Sequence, residues 1–356
     1  MNSSALVKTI HQYCAAINRE VRLMEVCGTH TMAAFRTGLR SLFPPGLTLV
    51  AGPGCPVCVT PNDYLDRAIA IAEQPGVIVT TFGDMLRVPG SRTSLEIVRA
   101  RGADVRVIYS PLDAIKLARE FPQRNIVFCG VGFETTTPAV AWTILEAARC
   151  GLTNYSVLCG HKTVPQALKA LVDGELGIDG FICPGHVSVI IGSKPYECIS
   201  RDYKIPCVIA GFEGIDMLSA IAMLLKQISD GKSLVENAYG RSVDAQGNPS
   251  ALAAMNDVFE PCDAAWRGIG IIPGSGLSIR TKYCAHDAGK VFADIEVEPS
   301  HDQPGCICGS ILKGLRVPYD CPLFNKVCTP ENPVGACMVS SEGTCAAYYK
   351  YARIKQ

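Results

Sequence analysis

The sequence predicts an α/β protein with mostly parallel sheets and a smaller, cysteine-rich unit toward its C-terminal end. Two observations carry the first part. Short, unbroken apolar runs alternate with helix-patterned stretches, and 48% of residues are hydrophobic against 19% charged. Buried parallel strands read as continuous β-branched runs, and intervening helices supply the crossovers that keep successive strands parallel. The third observation is a shift after about Glu260, where Gly, Pro and Cys rise and apolar periodicity fades. At 356 residues, two or three domains are expected.

Taken in order, a first helix leads into VRLMEVC (21–27), LTLVAG (47–52), VIVTTF (77–82), VRVIYS (105–110) and IVFCG (126–130). Each run is free of charge at its middle or bounded by Gly, Pro or Ser, as buried strands are. Between them, residues 62–74, 94–102 and 112–122 carry helical spacing and end near Gly or Pro. A second series follows. Helix 139–151 stops at Gly, then come strand YSVLCG (155–160), helix 164–174, strands DGFICPG (179–185) and CVIAGF (207–212), and the long helix 214–231. Divisions are expected at 1–137, 138–260 and 261–356.

Formal net charge is zero and no Lys/Arg block stands out, which argues against nucleic acid or an anionic membrane as main partner. The first residues lack the apolar core of a signal peptide, and no run approaches membrane-spanning length, so a cytoplasmic location is expected. That makes 18 cysteines the main anomaly. A reducing compartment disfavours a disulfide framework, leaving small buried hydrophobes, metal ligands and redox thiols. Cys14, Cys150, Cys159, Cys198, Cys207, Cys262 and Cys284 are expected to be structural, and Cys129 and Cys183 to lie in strand cores.

Six cysteines fall between Cys306 and Cys345, in a segment with little apolar interior to hide them. Cys306, Cys321, Cys328 and Cys345 leave gaps of 14, 6 and 16 residues. Four thiolates in a loop-rich segment point to zinc or an iron–sulfur cluster. Structural zinc favours tight paired ligands, whereas wide, unequal gaps suit the separated corners of a 4Fe–4S cubane. Cys308 or Cys337 is an alternative ligand in place of a neighbour.

Two turns near the N-terminus carry the other chemistry. Cys27 and His30, in "CGTH", follow one strand, and Cys55 and Cys58, in "GPGCPVC", follow the next. Ligands of open α/β sheets gather at the carboxyl ends of strands. If these strands are neighbours, three sulfurs and His30 project into one crevice, a soft-ligand site for a metal such as iron. Cys-x-x-Cys serves thiol–disulfide exchange or metal ligation. "GFETTTP" places Glu134 and three threonines at another strand end, and "CPGHVS" places His186 at a further one. A helix cap and a packed turn histidine are the alternative readings of those two. No phosphate-binding loop, dinucleotide fingerprint, HExxH or nucleophile elbow is present.

Together "EVCGTHT", "GPGCPVCVTP", "GFETTTP", "PGHVS" and the spaced cysteine tail resemble the HypD family of nickel–iron hydrogenase maturation factors. The motifs run in order along nearly the whole chain. The resemblance implies two parallel-sheet α/β domains around a cleft plus a small cysteine-rich iron–sulfur domain. It implies a scaffold on which an iron ion acquires two cyanides and one carbonyl before delivery to the hydrogenase large subunit. Cys27 then matches the iron-binding cysteine, Cys55 and Cys58 a redox-active or iron-binding pair, and Cys306, Cys321, Cys328 and Cys345 the 4Fe–4S ligands. A HypC-type chaperone and a HypE-type cyanide donor are the implied partners. The competing function is an iron–sulfur-dependent disulfide reductase acting on a protein thiol through Cys55 and Cys58.

Overall fold

The computed structural model describes residues 2–174 and 177–352. Eleven strands are present among them: β1 Val21–Glu25, β2 Leu47–Ala51, β3 Val77–Thr81, β4 Val105–Val107, β5 Asn125–Gly130, β6 Tyr155–Cys159, β7 Gly180–Pro184, β8 Cys207–Ala210, β9 Val235–Asn237, β10 Phe259–Trp266 and β11 Gly270–Ile279. The predicted strands up to residue 212 all form, and all pair in parallel. Strands β3, β7 and β8 are buried at every residue, which is why they read as unbroken apolar runs.

The strands sort into two parallel sheets and a hairpin. Sheet A has the order β2-β1-β7-β8-β9, sheet B the order β4-β3-β5-β6, and β10 pairs with β11 antiparallel. The sheets therefore do not divide at residue 137. The chain starts sheet A with β1 and β2, builds all of sheet B, and returns to finish sheet A. Register shows the return: β7 lies beside β1, with Met24 opposite Phe181 and Glu25 opposite Ile182. Local periodicity identifies strands but carries nothing about which sheet they join. The expected boundary near residue 260 likewise falls inside the β10–β11 hairpin, which the fading periodicity concealed.

Helices form where the spacing predicts them. Asn2 accepts from the Ala5 N–H at the start of Ser3–Ile17, and Asn18 ends that helix in the left-handed region at φ 50°. Ser110 caps Pro111–Glu120, with Pro111 in the first turn, where its missing N–H costs nothing. Helix Gly214–Ser229 buries Met217, Ile221, Leu224 and Leu225 in one core with Leu6 and Ile10 of the first helix.

The cysteine-rich tail is better cored than its composition suggests. Ile311, Leu312, Phe324, Cys337 and Met338 are buried in a cluster that also contains Phe181 and Ile209 of sheet A. The tail borrows its interior from the first sheet. It also spans both layers, with Phe35 edge-on to Tyr348 at 4.7 Å and Ser340 Oγ donating to Asp84 at 2.8 Å. Cys129, Cys183 and Cys207 are core residues, but Cys150 and Cys284 are exposed, contrary to the structural role expected for them. No helix among the described residues is long and apolar enough to cross a membrane.

One buried charge anchors the end of β1. The Glu25 side chain is fully buried, and its Oε2 accepts from Arg40 at 2.7 Å and Thr31 at 3.0 Å. Replacing Arg40 by Met should destabilise the chain by about 3 kcal/mol, because it strands a buried carboxylate. Urea unfolding checks this, and a cost within the range of an exposed ion pair would show that Glu25 is not held by Arg40.

Candidate functional site

β1 and β7 are neighbours, and the chain runs on from β1 to β2 at one side and from β7 to β8 at the other, so the connections from their carboxyl ends diverge. Such divergence opens a crevice. Cys27 stands there, two residues beyond β1, in extended conformation immediately before the helix Gly28–Arg36. It lines a crevice of about 470 Å³ with Gly54 and Pro56 after β2, Thr135 and Thr136 after β5, Pro184 and His186 at the end of β7, and Glu342 of the tail.

Two glycines set how closely these segments meet. A Cβ on Gly54 would lie 2.4 Å from the Cα and N of Cys27, and one on Gly28 would lie 2.2 Å from the Glu342 carbonyl oxygen. The Gly28 N–H donates to Gly54 O at 3.2 Å, and Thr29 Oγ1 donates to Glu342 Oε1 at 2.7 Å. The "CGTH" and "GPGC" turns and the tail are thus locked face to face.

Cys27 is buried, and burial together with the Glu342 carboxylate pushes its thiol up to about 11. The backbone N–H groups of Thr29 and His30, at the start of the helix, oppose that rise. The thiol is protonated at neutral pH, but two N–H groups already face the sulfur. A metal cation that displaces the proton meets a thiolate whose hydrogen-bond partners are in place.

Of the three sulfurs expected to share the crevice, only Cys27 lines it. Cys55 and Cys58 are joined in a disulfide and buried in the core with Val59 and Phe133, while Pro56 between them faces the crevice. The Cys58 N–H donates to Cys55 Sγ at 3.2 Å across this short turn. The disulfide backs the wall that Cys27 fronts. In this oxidised state neither sulfur is free to attack or to bind metal.

His30 turns away from the crevice. Its ring is fully buried, Nε2 donates to Gly211 O at 3.0 Å, and its face stacks on Phe212 at 4.7 Å. Burial lowers its pKa to about 4, so it is a neutral tie between the "CGTH" helix and the end of β8. His186 also stacks on Phe212, at 3.7 Å, but it is exposed and lines the crevice as expected. Glu134 is corrected too. Both its oxygens accept from the Val164 N–H, at 3.0 and 3.3 Å, so it caps helix Val164–Val172. Its neighbours Thr135 and Thr136 are the crevice residues of that motif.

All six tail cysteines line one small cavity, walled otherwise by Ile311, Leu323, Phe324, Gly335 and Met338. Burial raises the Cys345 thiol, and Cys306, Cys328, Cys321 and Cys308 raise it further, so these sulfurs lie within electrostatic reach of one another. The Val334 N–H donates to Cys328 Sγ at 3.4 Å. No three His, Cys, Asp or Glu side chains among the described residues converge closely enough to hold one metal ion.

Arg267 escaped the sequence reading, since an arginine at a hairpin turn signals only a solvated loop. It is in fact buried. Its N–H donates to Val59 O at 2.9 Å and its Nε to Thr60 O at 2.8 Å, directly behind the disulfide turn. Nη2 is buried without a partner, and Arg267 shares a pocket with Cys306 and Cys308, whose thiols its charge favours as thiolates. Gly268 and Gly309 permit this contact, because a Cβ on Gly309 would lie 2.4 Å from Gly268 O. Glu342 and Thr29 were likewise unforeseen.

Comparison with known proteins gives concordant matches. A family model, HypD, described as "Hydrogenase formation hypA family", matches residues 2–352. "Hydrogenase maturation factor HypD" of Rhodobacter capsulatus is 49% identical over 356 residues, covering 97% of this chain and 93% of the relative. Its namesake in Azotobacter vinelandii is 49% identical over 346 residues, covering 95% and 91%. That of Cupriavidus necator is 47% identical, covering 93% and 90%.

The capping role of Glu134 has a pH signature. Burial raises its carboxyl to about 7 from an ordinary value near 4.5. The folded state therefore holds a proton that the unfolded state releases between those values. Stability from this group is fully present below about 4.5 and is lost as pH rises through about 7, a change on the order of 3 kcal/mol. Glu134→Gln keeps an acceptor for Val164 and should flatten that slope. Unfolding free energies of the two proteins between pH 5 and 8 should diverge in favour of the variant, and parallel curves would contradict the assignment.

Proposed function

The chain belongs to the HypD family of hydrogenase maturation factors, and from that premise we propose that it is the scaffold on which an iron ion acquires two cyanides and one carbonyl. The observation that carries this reading is the placement of Cys27. It is the one cysteine lining the crevice at the divergence point of sheet A, with two backbone N–H groups facing its sulfur and a disulfide behind its wall. Iron is the cargo here, held by a soft thiolate. The crevice leaves room for further ligands brought by a HypC-type chaperone and by a HypE-type cyanide donor. His186 and Thr29 are placed to hydrogen-bond ligands of that iron.

Releasing one cyanide from a partner's thiol takes two electrons and one proton, leaving cyanide and a free thiol. Oxidation of a Cys55–Cys58 dithiol to the disulfide yields two electrons and two protons, which balances the step. The observed disulfide corresponds to the spent state.

The donor set suits a 4Fe–4S group, since six soft thiols line one cavity and four of them carry wide, unequal spacing. Cys306, Cys321, Cys328 and Cys345 would hold it, and when bound it supplies single-electron chemistry. Arg267 would offset the negative charge of the thiolates and join the cage to the carbonyls of the disulfide turn.

Two experiments test this. Infrared spectra of the chain purified anaerobically with a HypC-type chaperone should show cyanide and carbonyl bands. Cys27→Ala should lose the bands and hydrogenase maturation while keeping its unfolding midpoint. Full maturation by that variant would favour the disulfide reductase, which needs only Cys55 and Cys58. For the cage, Arg267→Gln should lower the iron and sulfide retained per chain, and Arg267→Lys, which keeps the charge, should restore most of it. Equal contents in all three proteins would remove Arg267 from the charge balance.

A further inference from the structure

A second cleft, of about 540 Å³, opens at the carboxyl end of sheet B, away from Cys27. Its walls come from the end of β6 (Cys159 to Lys162), the start of helix Asn62–Ala72 (Asp63, Arg67) and the β10–β11 hairpin (Cys262, Asp263). Of the motifs that carry the family resemblance, only the end of "GPGCPVCVTP", at Thr60 and Pro61, reaches this cleft.

The charges in this cleft are unevenly matched. Lys162 is only 5% exposed, yet its ammonium forms no ion pair or hydrogen bond among the described residues. Its Nζ lies 5.7 Å over the face of Trp266, and the Asp63 carboxylate and the Cys159 and Cys262 thiols are within electrostatic reach. Arg67 donates to the Ile295 carbonyl and pairs with no carboxylate. The acids of the same cleft are occupied. Glu298 pairs with Arg92, Asp263 accepts from the Gly274 N–H at 2.9 Å, and Asp63 accepts from the Tyr64 N–H at 2.8 Å. The stem of Lys162 is buried while its ammonium reaches the cleft, where no salt-bridged anion holds it and the aromatic face offsets about 1 kcal/mol of the lost hydration.

The backbone holds Lys162 firmly in that position. Its N–H donates to Gly132 O at 3.0 Å, the Thr163 N–H to Ser275 O at 2.8 Å, and the Leu277 N–H to His161 O at 3.2 Å. The segment is thereby pinned between β5 and β11 and cannot swing the lysine out to solvent. Burial also lowers its pKa to about 8, and at neutral pH it remains mostly charged.

We propose that this cleft is a binding site for a small molecule bearing one compact anionic group, a carboxylate or a phosphate, anchored by Lys162 with Arg67 as the second cation. The cleft has the position of ligand sites in open α/β sheets. Asp63 and Asp263 along the same walls, each holding only a backbone N–H, keep their charge and repel extended polyanions, which restricts the ligand to a single anionic end. The inference is independent of the iron chemistry at Cys27.

The test uses the full chain with inorganic phosphate, acetate and pyrophosphate as probes, and chloride at matched ionic strength as control. Reductive methylation of Lys162, read by mass spectrometry, should slow by about tenfold at a probe concentration ~10 times its dissociation constant. The thermal midpoint should rise saturably with it. Protection by phosphate alone identifies a phosphoryl ligand, and protection by acetate as well identifies a carboxylate. Arg67→Met should weaken both effects, and Lys162→Met should abolish the thermal shift. If Lys162→Met does not fold, methylation of the native chain and the Arg67 variant decide. Protection by chloride equal to that of the probes, no saturation with any of them, or tightest binding of pyrophosphate would each overturn the proposal.

Discussion

The candidate site depends on one steric constraint: three backbone segments meet where no side chain fits. Gly54 lies against Cys27, and Gly28 lies against Glu342, each within the space a Cβ would need. Because of this contact, the residue after β1, the loop after β2 and a tail more than 300 residues away in sequence share one wall. The disulfide, the buried thiol and the carboxylate that perturbs it are all positioned by it. Methyl-sized changes at such contacts must move backbone, which interiors packed like crystals resist.

Burial then decides how each polar group behaves. Glu25 is paired with Arg40 through one oxygen, His30 is neutral and tied to β8, and Glu134 caps a helix. These groups serve architecture, although all three belong to the motifs that carry the family resemblance. Arg267 and Lys162 are the reverse case. Each is a buried cation without a carboxylate partner, and each faces a cavity. An ionised group removed from water is tolerated only if something compensates it. The unpartnered cations are therefore the groups proposed here to meet a ligand or a cluster.

The sequence by itself determined the strands and helices, because a buried parallel strand and an amphipathic helix each leave a local pattern. All five early strands and the helices between them stand where their apolar spacing puts them. It also singled out Cys27 and His186, because strand ends are where open sheets bind ligands, and it grouped the tail cysteines that line one cavity. Only the tertiary structure decided which sheet each strand joins, since pairing β1 with β7 involves residues far apart whose periodicities are alike. It likewise decided that His30 and Glu134 turn inward, that Cys55 and Cys58 sit behind the crevice wall, and that Arg267 and Lys162 are buried. Side-chain direction, burial and charge pairing arise from contacts between distant segments, and a local pattern holds no record of them.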